Sequence, residues 1–243
     1  MASLCDPNGQ DIAVQISQTG RVTTPADFWA PFRLRVRYGQ LELRAITDDD
    51  IGPLIDLVAA GIHEPDEMPF AQPWTDVAPE VLPHNIAAYY WSTRVSFSPA
   101  DWVLDLAVRV NGEIVGVQGF HAKDFLVVRT GETGSWLGRR FQGGGIGTAM
   151  RRAMCGLLFD HLDAQEITSA AFIDNPALLA VSRKVGYVDN GTFREQRRPG
   201  ELACSRKLLL TPERFLRSEH RLEVEGVAEL RAAIGLPHRP SSS

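Results

Sequence analysis

Cysteine is scarce in this chain. Its 243 residues include three, Cys5, Cys155 and Cys204. The count is odd and no pair stands at metal-ligand spacing, so neither a disulfide framework nor a metal site is expected. Free thiols of this kind fit a reducing, cytoplasmic setting. Long apolar runs are absent too, and no stretch reaches the length of a membrane span. The opening Met1-Ala2-Ser3-Leu4-Cys5-Asp6-Pro7 runs into polar residues, so no signal peptide is expected. Positive charge is in deficit, with a net charge of −5. That is a poor match to nucleic acid, whose phosphates require a basic surface, and a mildly good one to a cationic amine. What remains is ordinary: 44% hydrophobic and 23% charged residues, in a chain long enough to bury a core without staples.

Periodicity divides the chain into three parts. Residues 1–32 show little pattern beyond a weak strand at Asp11–Ile16, and are expected to be a partly ordered extension. Residues 33–217 read as one domain. Residues 218–243 read as a C-terminal helix and a disordered tail. Within the domain, Arg33–Ile46 predicts a strand or hairpin. Thr47 or Asp48 caps a helix carrying Ile51, Leu54, Ile55 and Val58, which Gly61 can stop. A second helix is predicted over Pro79–Val95, with Ile86, Tyr89 and Tyr90 on its apolar side. Trp102–Val110 and Glu113–Phe120 form strands around an Asn111-Gly112 turn. The strand Glu132–Leu137, the helix Gly145–Leu162, the strand Glu166–Phe172 and the helix Pro176–Val185 follow. Strands at Tyr187–Glu195 and Leu202–Leu210 come next, then a cap-and-proline helix start at Thr211-Pro212-Glu213. Antiparallel strands first and strand–helix alternation later predict a mixed α/β sheet with helices on both faces.

The segment Gly134-Ser135-Trp136-Leu137-Gly138-Arg139-Arg140-Phe141-Gln142-Gly143-Gly144-Gly145-Ile146-Gly147-Thr148 carries the chemistry. A strand ends, a glycine-rich turn follows and a helix begins. Amides at a helix start have no intrahelical acceptor and converge with partial positive charge, which suits an anion. Glycines let a diphosphate approach the backbone and permit positive φ. The spacing is not that of a dinucleotide fingerprint, since Thr148 stands where the last glycine belongs. It is not a nucleotide-triphosphate loop either, since Gly147 is followed by Thr148 with no lysine.

Gln142-x-x-Gly145-x-Gly147 resembles the Q/R-x-x-G-x-G/A signature of the GNAT acyltransferases. Asn175-Pro176-Ala177-Leu178 through Ser182, Lys184, Gly186 and Tyr187 is similar to the family's second signature. Trp136-Leu137 and Phe141-Gln142-Gly143 look like the branch that acetylates ribosomal-protein N-termini. Gly61-Ile62-His63, Met68-Pro69-Phe70, Pro73-Trp74-Thr75, Gly116-Val117-Gln118, Lys123-Asp124-Phe125 and Gly134–Gly138 look like relatives that bind succinyl-CoA.

The resemblance covers about Leu41–Leu210. It implies a mostly antiparallel twisted sheet, splayed at the acyl-CoA site. The reaction it implies is transfer of acetyl or succinyl from CoA to a primary amine of a protein or small molecule, by direct attack and without a metal. A homodimer is implied as well.

By the same resemblance, CoA would be held by Leu137, Arg139, Arg140, Gln142, Gly143, Gly144, Gly145, Ile146, Gly147, Thr148, Asn175 and Ser182. The Leu137 amide would meet the thioester carbonyl. Asn175 would bind the pantetheine arm, or serve as an N-cap, or both. Ser182 stands where many members carry an acidic tyrosine, and Leu178 where others carry a serine. Glu195 and His121 are candidate bases. His63, Glu64, Asp66 and Glu67 lie in the loop expected over the acceptor, as does Trp74; Gln118 and Lys123 are candidates for a succinyl carboxylate. The missing tyrosine leaves open an alternative, a GNAT-fold module that senses acyl-CoA without turnover.

Overall fold

The computed structural model describes residues 23–238, so the strand expected at Asp11–Ile16 lies outside the described residues. In chain order the elements are α1 (Pro25–Phe28), β1 (Arg35–Tyr38), β2 (Leu41–Ala45), α2 (Asp48–Ala59), α3 (Leu82–Val95), β3 (Asp101–Val110), β4 (Glu113–Lys123), α4 (Phe125–Val128), β5 (Glu132–Leu137), α5 (Ile146–His161), β6 (Ile167–Phe172), α6 (Pro176–Val185), β7 (Val188–Arg198), β8 (Glu201–Leu210), β9 (Leu222–Glu225) and α7 (Val227–Ala233). One nine-stranded sheet runs β7-β8-β6-β5-β4-β3-β2-β1-β9. Its pairings are antiparallel except β5 with β6. No helix of the described residues is long and apolar enough to cross a membrane.

Local chemistry accounts for the elements. Thr47 and Asp50 form a capping box at the start of α2. Asn111 and Gly112 take φ of 51° and 85°, which a tight β3–β4 hairpin requires. α5 buries Met150, Ala153, Met154, Leu157 and Leu158 against one face of the sheet. On the opposite face, α2 and α3 pack through Ile51, Leu54, Val58, Ile86 and Tyr90 against Ala107 and Val117.

Two expectations for the C-terminal part need correction. Thr211-Pro212-Glu213 starts no helix. The amides of Arg214 and Phe215 both donate to Thr211 O at 3.1 Å, but that of Leu216 goes to Val185 O at 2.9 Å, so the turn stops after one round. The segment after residue 217 is also more than a helix and a tail, because β9 pairs with β1 and extends the sheet.

Candidate active site

β5 and β6 share one register pair, Glu132 with Thr168. Beyond it, Thr133 Oγ1 donates to Thr168 O (3.2 Å) and Ser169 Oγ to Thr133 O (3.1 Å), and the ladder ends. Gly138 N donates to Val115 O on β4 at 3.0 Å. Backbone groups alternate along a strand, so the amides of Leu137 and Ser135 point away from β4 and into the fork between β5 and β6.

The glycine turn lies beside this fork. Gly143 and Gly145 have φ of 78° and 87°, and Gly145 caps α5. Gly144 has no such φ, and a Cβ there would meet nothing within 4 Å. Nothing inside the protein requires a glycine at 144, whereas a diphosphate approaching the amides would. Thr148 is the first amide of this stretch to find a helical acceptor, Gly145 O at 3.1 Å. The amides ahead of it, including those of Ile146 and Gly147, are left for a ligand. The donor set therefore fits the diphosphate of coenzyme A. Gln142 acts here as a latch: its Nε2 donates to Ile62 O (2.9 Å) and Leu137 O (3.0 Å). Arg139 pairs with Glu64 (2.6 Å) and Arg140 with Glu113, with the Arg140 guanidinium 4.6 Å from the Phe141 ring centre. Asn175 Oδ1 accepts from Leu178 N at 3.0 Å, an N-cap bond.

Across β5, on the α2–α3 face, opens a cavity of about 730 Å3. Phe70, Trp74 and Trp136 form its aromatic wall, with ring centres 5.3 and 6.1 Å apart in succession, and Tyr89 and Tyr90 of α3 line it too. The sheet supplies the floor in rows. Asp105, Gly119 and Gly134 are cross-strand neighbours, as are Val103, His121 and Glu132 in the next row. A Cβ at Gly119 would come within 2.3 Å of Asp105 Oδ1, so the glycine is what gives that carboxylate room.

Burial pushes the Asp105 carboxyl up to about 6, against the opposing pull of a Tyr89 hydrogen bond and the His121 charge. Its Oδ2 has no partner. Desolvation also raises Glu132, as does the charge of Glu195, while His121 lowers it. Burial raises Tyr89 as well, followed by its interactions with Asp105.

Sequence-expected residues divide accordingly. His121 reaches the cavity, with Nε2 2.8 Å from Asp101 Oδ1. Trp74 lines the cavity. Glu195 is bonded by the Ser205 hydroxyl and lies near enough to Glu132 to influence it. Ser182 is fully buried and accepts from Arg151 Nη1 at 3.1 Å. His63 braces the loop between Glu64 O (2.7 Å) and Thr75 Oγ1 (2.8 Å), and Glu67 stays at the surface.

Gln118 and Lys123 are not brought to the cavity. Alternation along β4 turns Gln118 to the α5 side, where Nε2 donates to Gly134 O at 3.0 Å, and Lys123 ends the strand exposed. Asp105, Glu132 and Tyr89 are the residues that sequence reasoning missed as site members. The available signal was a lone carboxylate inside Trp102–Val108, facing a glycine across the Asn111-Gly112 hairpin.

A sheet forked beside a glycine-rich helix start defines a class of domains that seat a phosphate-bearing substrate within the sheet itself. Residues 40–188, more than half of the chain, match the family model described as an acetyltransferase (GNAT) domain. The chain belongs to the GNAT acetyltransferase family.

Over 92 residues it is 27% identical to YdaF of Bacillus subtilis (strain 168), a protein named for ribosomal N-acetylation. The match covers 38% of this chain and 50% of that relative, so the chain spans about half the length of the curated relative it matches. Among solved structures, RimJ of Mycobacterium smegmatis in complex with CoA-disulfide is similar at 18% identity and TM-score 0.64, covering 84% of this chain and 95% of that one. RimL, a ribosomal L7/L12 α-N-protein acetyltransferase in complex with coenzyme A, is similar at 19% and 0.59, covering 71% and 94%. These two likenesses show the shared fold.

Proposed function

We propose that this chain transfers an acetyl group from acetyl-CoA to a primary amine that enters the aromatic cavity as a cation. The observation that carries this reading is the position of Asp105. A carboxylate with one unpartnered oxygen stands on the cavity floor, in the same cross-strand row as Gly134 of the forked strand. The amides of residues 144–147 would hold the diphosphate, and those of Leu137 or Ser135 the thioester carbonyl, where such a donor is worth about 2.7–4 kcal/mol in the transition state. The aromatic wall and the carboxylates of Asp105 and Glu132 attract the ammonium. Asp105 then takes its proton, directly or through one water, as a base tuned near operating pH. The freed nitrogen attacks the carbonyl carbon.

Acetyl is favoured over succinyl as the donor group. Among the described residues, those lining the cavity include Asp105 and Glu132 but no lysine or arginine, so a second carboxylate would meet repulsion there. The YdaF and RimL likenesses favour a protein N-terminus as acceptor; a cavity of this size also admits a small amine.

Thiol release from acetyl-CoA and succinyl-CoA, measured against a panel of N-terminal peptides and small amines, tests the reading. Turnover with acetyl-CoA and at least one amine is expected. Asp105→Asn should reduce kcat by on the order of 10²–10⁴, with the acid limb of the wild-type profile near the value of about 6 for Asp105. Normal CoA binding with no turnover on any amine would instead favour a sensing module.

A further inference from the structure

Arg151 is 1% exposed and projects from α5 toward the forked strands. A buried guanidinium is tolerated where a carboxylate or several carbonyls offset its lost hydration. Here the recorded hydrogen-bond partners among the described residues are three hydroxyls. Nη1 donates to Ser182 Oγ (3.1 Å) and Ser169 Oγ (3.4 Å), and Nη2 to Ser135 Oγ (2.9 Å). Nε has no partner. The titratable groups around the guanidinium are Tyr187, whose ring centre is 5.9 Å away, and Cys155, 3.6 Å from the Tyr187 hydroxyl. Burial raises both, Cys155 to about 11, so both are neutral and neither cancels the charge. Ser169 spends its proton on Thr133 O, but Ser182 and Ser135 only accept from Arg151, which leaves each O–H free to donate.

We infer that Arg151, anchored on the buried Ser182 and Ser169, is a positioning residue whose uncompensated charge, relayed through the half-buried hydroxyl of Ser135, stabilises the sulfur of coenzyme A as a thiolate. This rests on the reading above, in which the thioester lies in the fork. The amine lone pair forms the new C–N bond, and the C–S bond breaks with its electron pair going to sulfur. The entering ammonium gives one proton to Asp105 before attack, and the nitrogen gives its second to solvent as the adduct collapses to the amide. Ser135 donates a hydrogen bond to the thiolate and keeps its own proton; solvent protonates the thiolate after release. No acidic tyrosine is then needed at position 182, because the charge that supports the leaving group stands behind the forked strand.

The test is an ultraviolet titration of the thiol of coenzyme A bound to the intact protein, beside free coenzyme A in the same buffer. Binding is first verified by calorimetry, so absence of binding would count against the CoA-transfer reading itself. With CoA bound, the thiol pKa is expected about one unit or more below that of the free molecule, a tenfold shift in the ionisation equilibrium. Arg151→Met should return it to the free value and lower kcat on the order of tenfold with little change in KM for acetyl-CoA. Arg151→Lys, which keeps the charge, should restore most of the shift. A bound thiol titrating like free CoA in the wild type, or a shift unchanged in Arg151→Met, would overturn the inference. So would succinyl-CoA binding that weakens in Arg151→Met while acetyl-CoA binding does not, since the charge would then serve an acyl carboxylate.

Discussion

Arg231 and Arg151 are 3% and 1% exposed, yet their surroundings have little in common. Arg231 donates to Asp163 (2.8 Å), to His161 O (2.6 Å) and twice to Pro237 O (3.0 and 2.6 Å), which ties α7 and the Pro237 segment to the end of α5. Every donor nitrogen has a carbonyl or carboxylate, and the charge is cancelled. Among the described residues, Arg151 has neutral hydroxyls alone and an idle Nε. Folding explains the first arrangement. It does not explain the second, since a buried charge left without a counter-ion lowers stability. Sites that depart from what stability favours are commonly places where function has set the terms.

The largest effect that separates the two concerns stability. Arg231→Met removes the guanidinium bonded to Asp163 and to the carbonyls of His161 and Pro237. Asp163 keeps partial access to water, its side chain being 29% exposed, so the expected loss is about 2–4 kcal/mol. Arg151→Met removes a charge that lacks a counter-ion and leaves only hydroxyls behind; its stability should stay within about 1 kcal/mol of wild type or rise. Urea unfolding of both variants reads the difference directly. A loss for Arg151→Met equal to that for Arg231→Met would make Arg151 a structural residue.

Asp105 extends the comparison to a carboxylate. Its folded pKa of about 6 stands above the ordinary 3.8, so the folded state binds its proton more tightly than the unfolded chain does. Between pH 3.8 and 6 stability therefore falls as pH rises, and the cost is fully present above that window. Asp105→Asn should stabilise the protein by up to about 3 kcal/mol at pH 8 while removing activity, with the advantage vanishing as pH drops below about 4. Melting temperatures across pH follow it. A variant that melts below wild type at pH 8 would show that the carboxylate supports the fold.

Much of this was legible beforehand, where local signals decide structure. The glycine turn and proline start placed α5 and α6 within a residue of their observed bounds, and Asn111-Gly112 fixed the β3–β4 hairpin. β9 escaped because four alternating residues carry no more signal than coil until β1 is there to pair with them. Thr211-Pro212 carries the chemistry of a helix start, and only the competing bond from Leu216 to Val185 shows that it closes a single turn. Arg151 and Arg152 are adjacent in sequence, and one is buried while the other donates to Lys184 O at the surface. Composition cannot rank them; the turn of the helix does. Asp105 became a site residue only once Gly119 and Tyr89 were seen to surround it.

Asn175 gives the smallest and most divided expectation. Its side chain accepts from Leu178 N, a cap whose loss costs about 1 kcal/mol, whereas the family resemblance would have it hold the pantetheine arm. The two roles separate by variant. Asn175→Asp preserves the capping acceptor but loses the amide donor, so it should retain stability; Asn175→Ala loses both. If Asn175 contacts acyl-CoA through its amide, both variants should raise KM for acetyl-CoA severalfold, yet only Asn175→Ala should melt earlier. If the cap is its whole role, KM should hold in both, and α6 would then owe nothing at this position to the ligand.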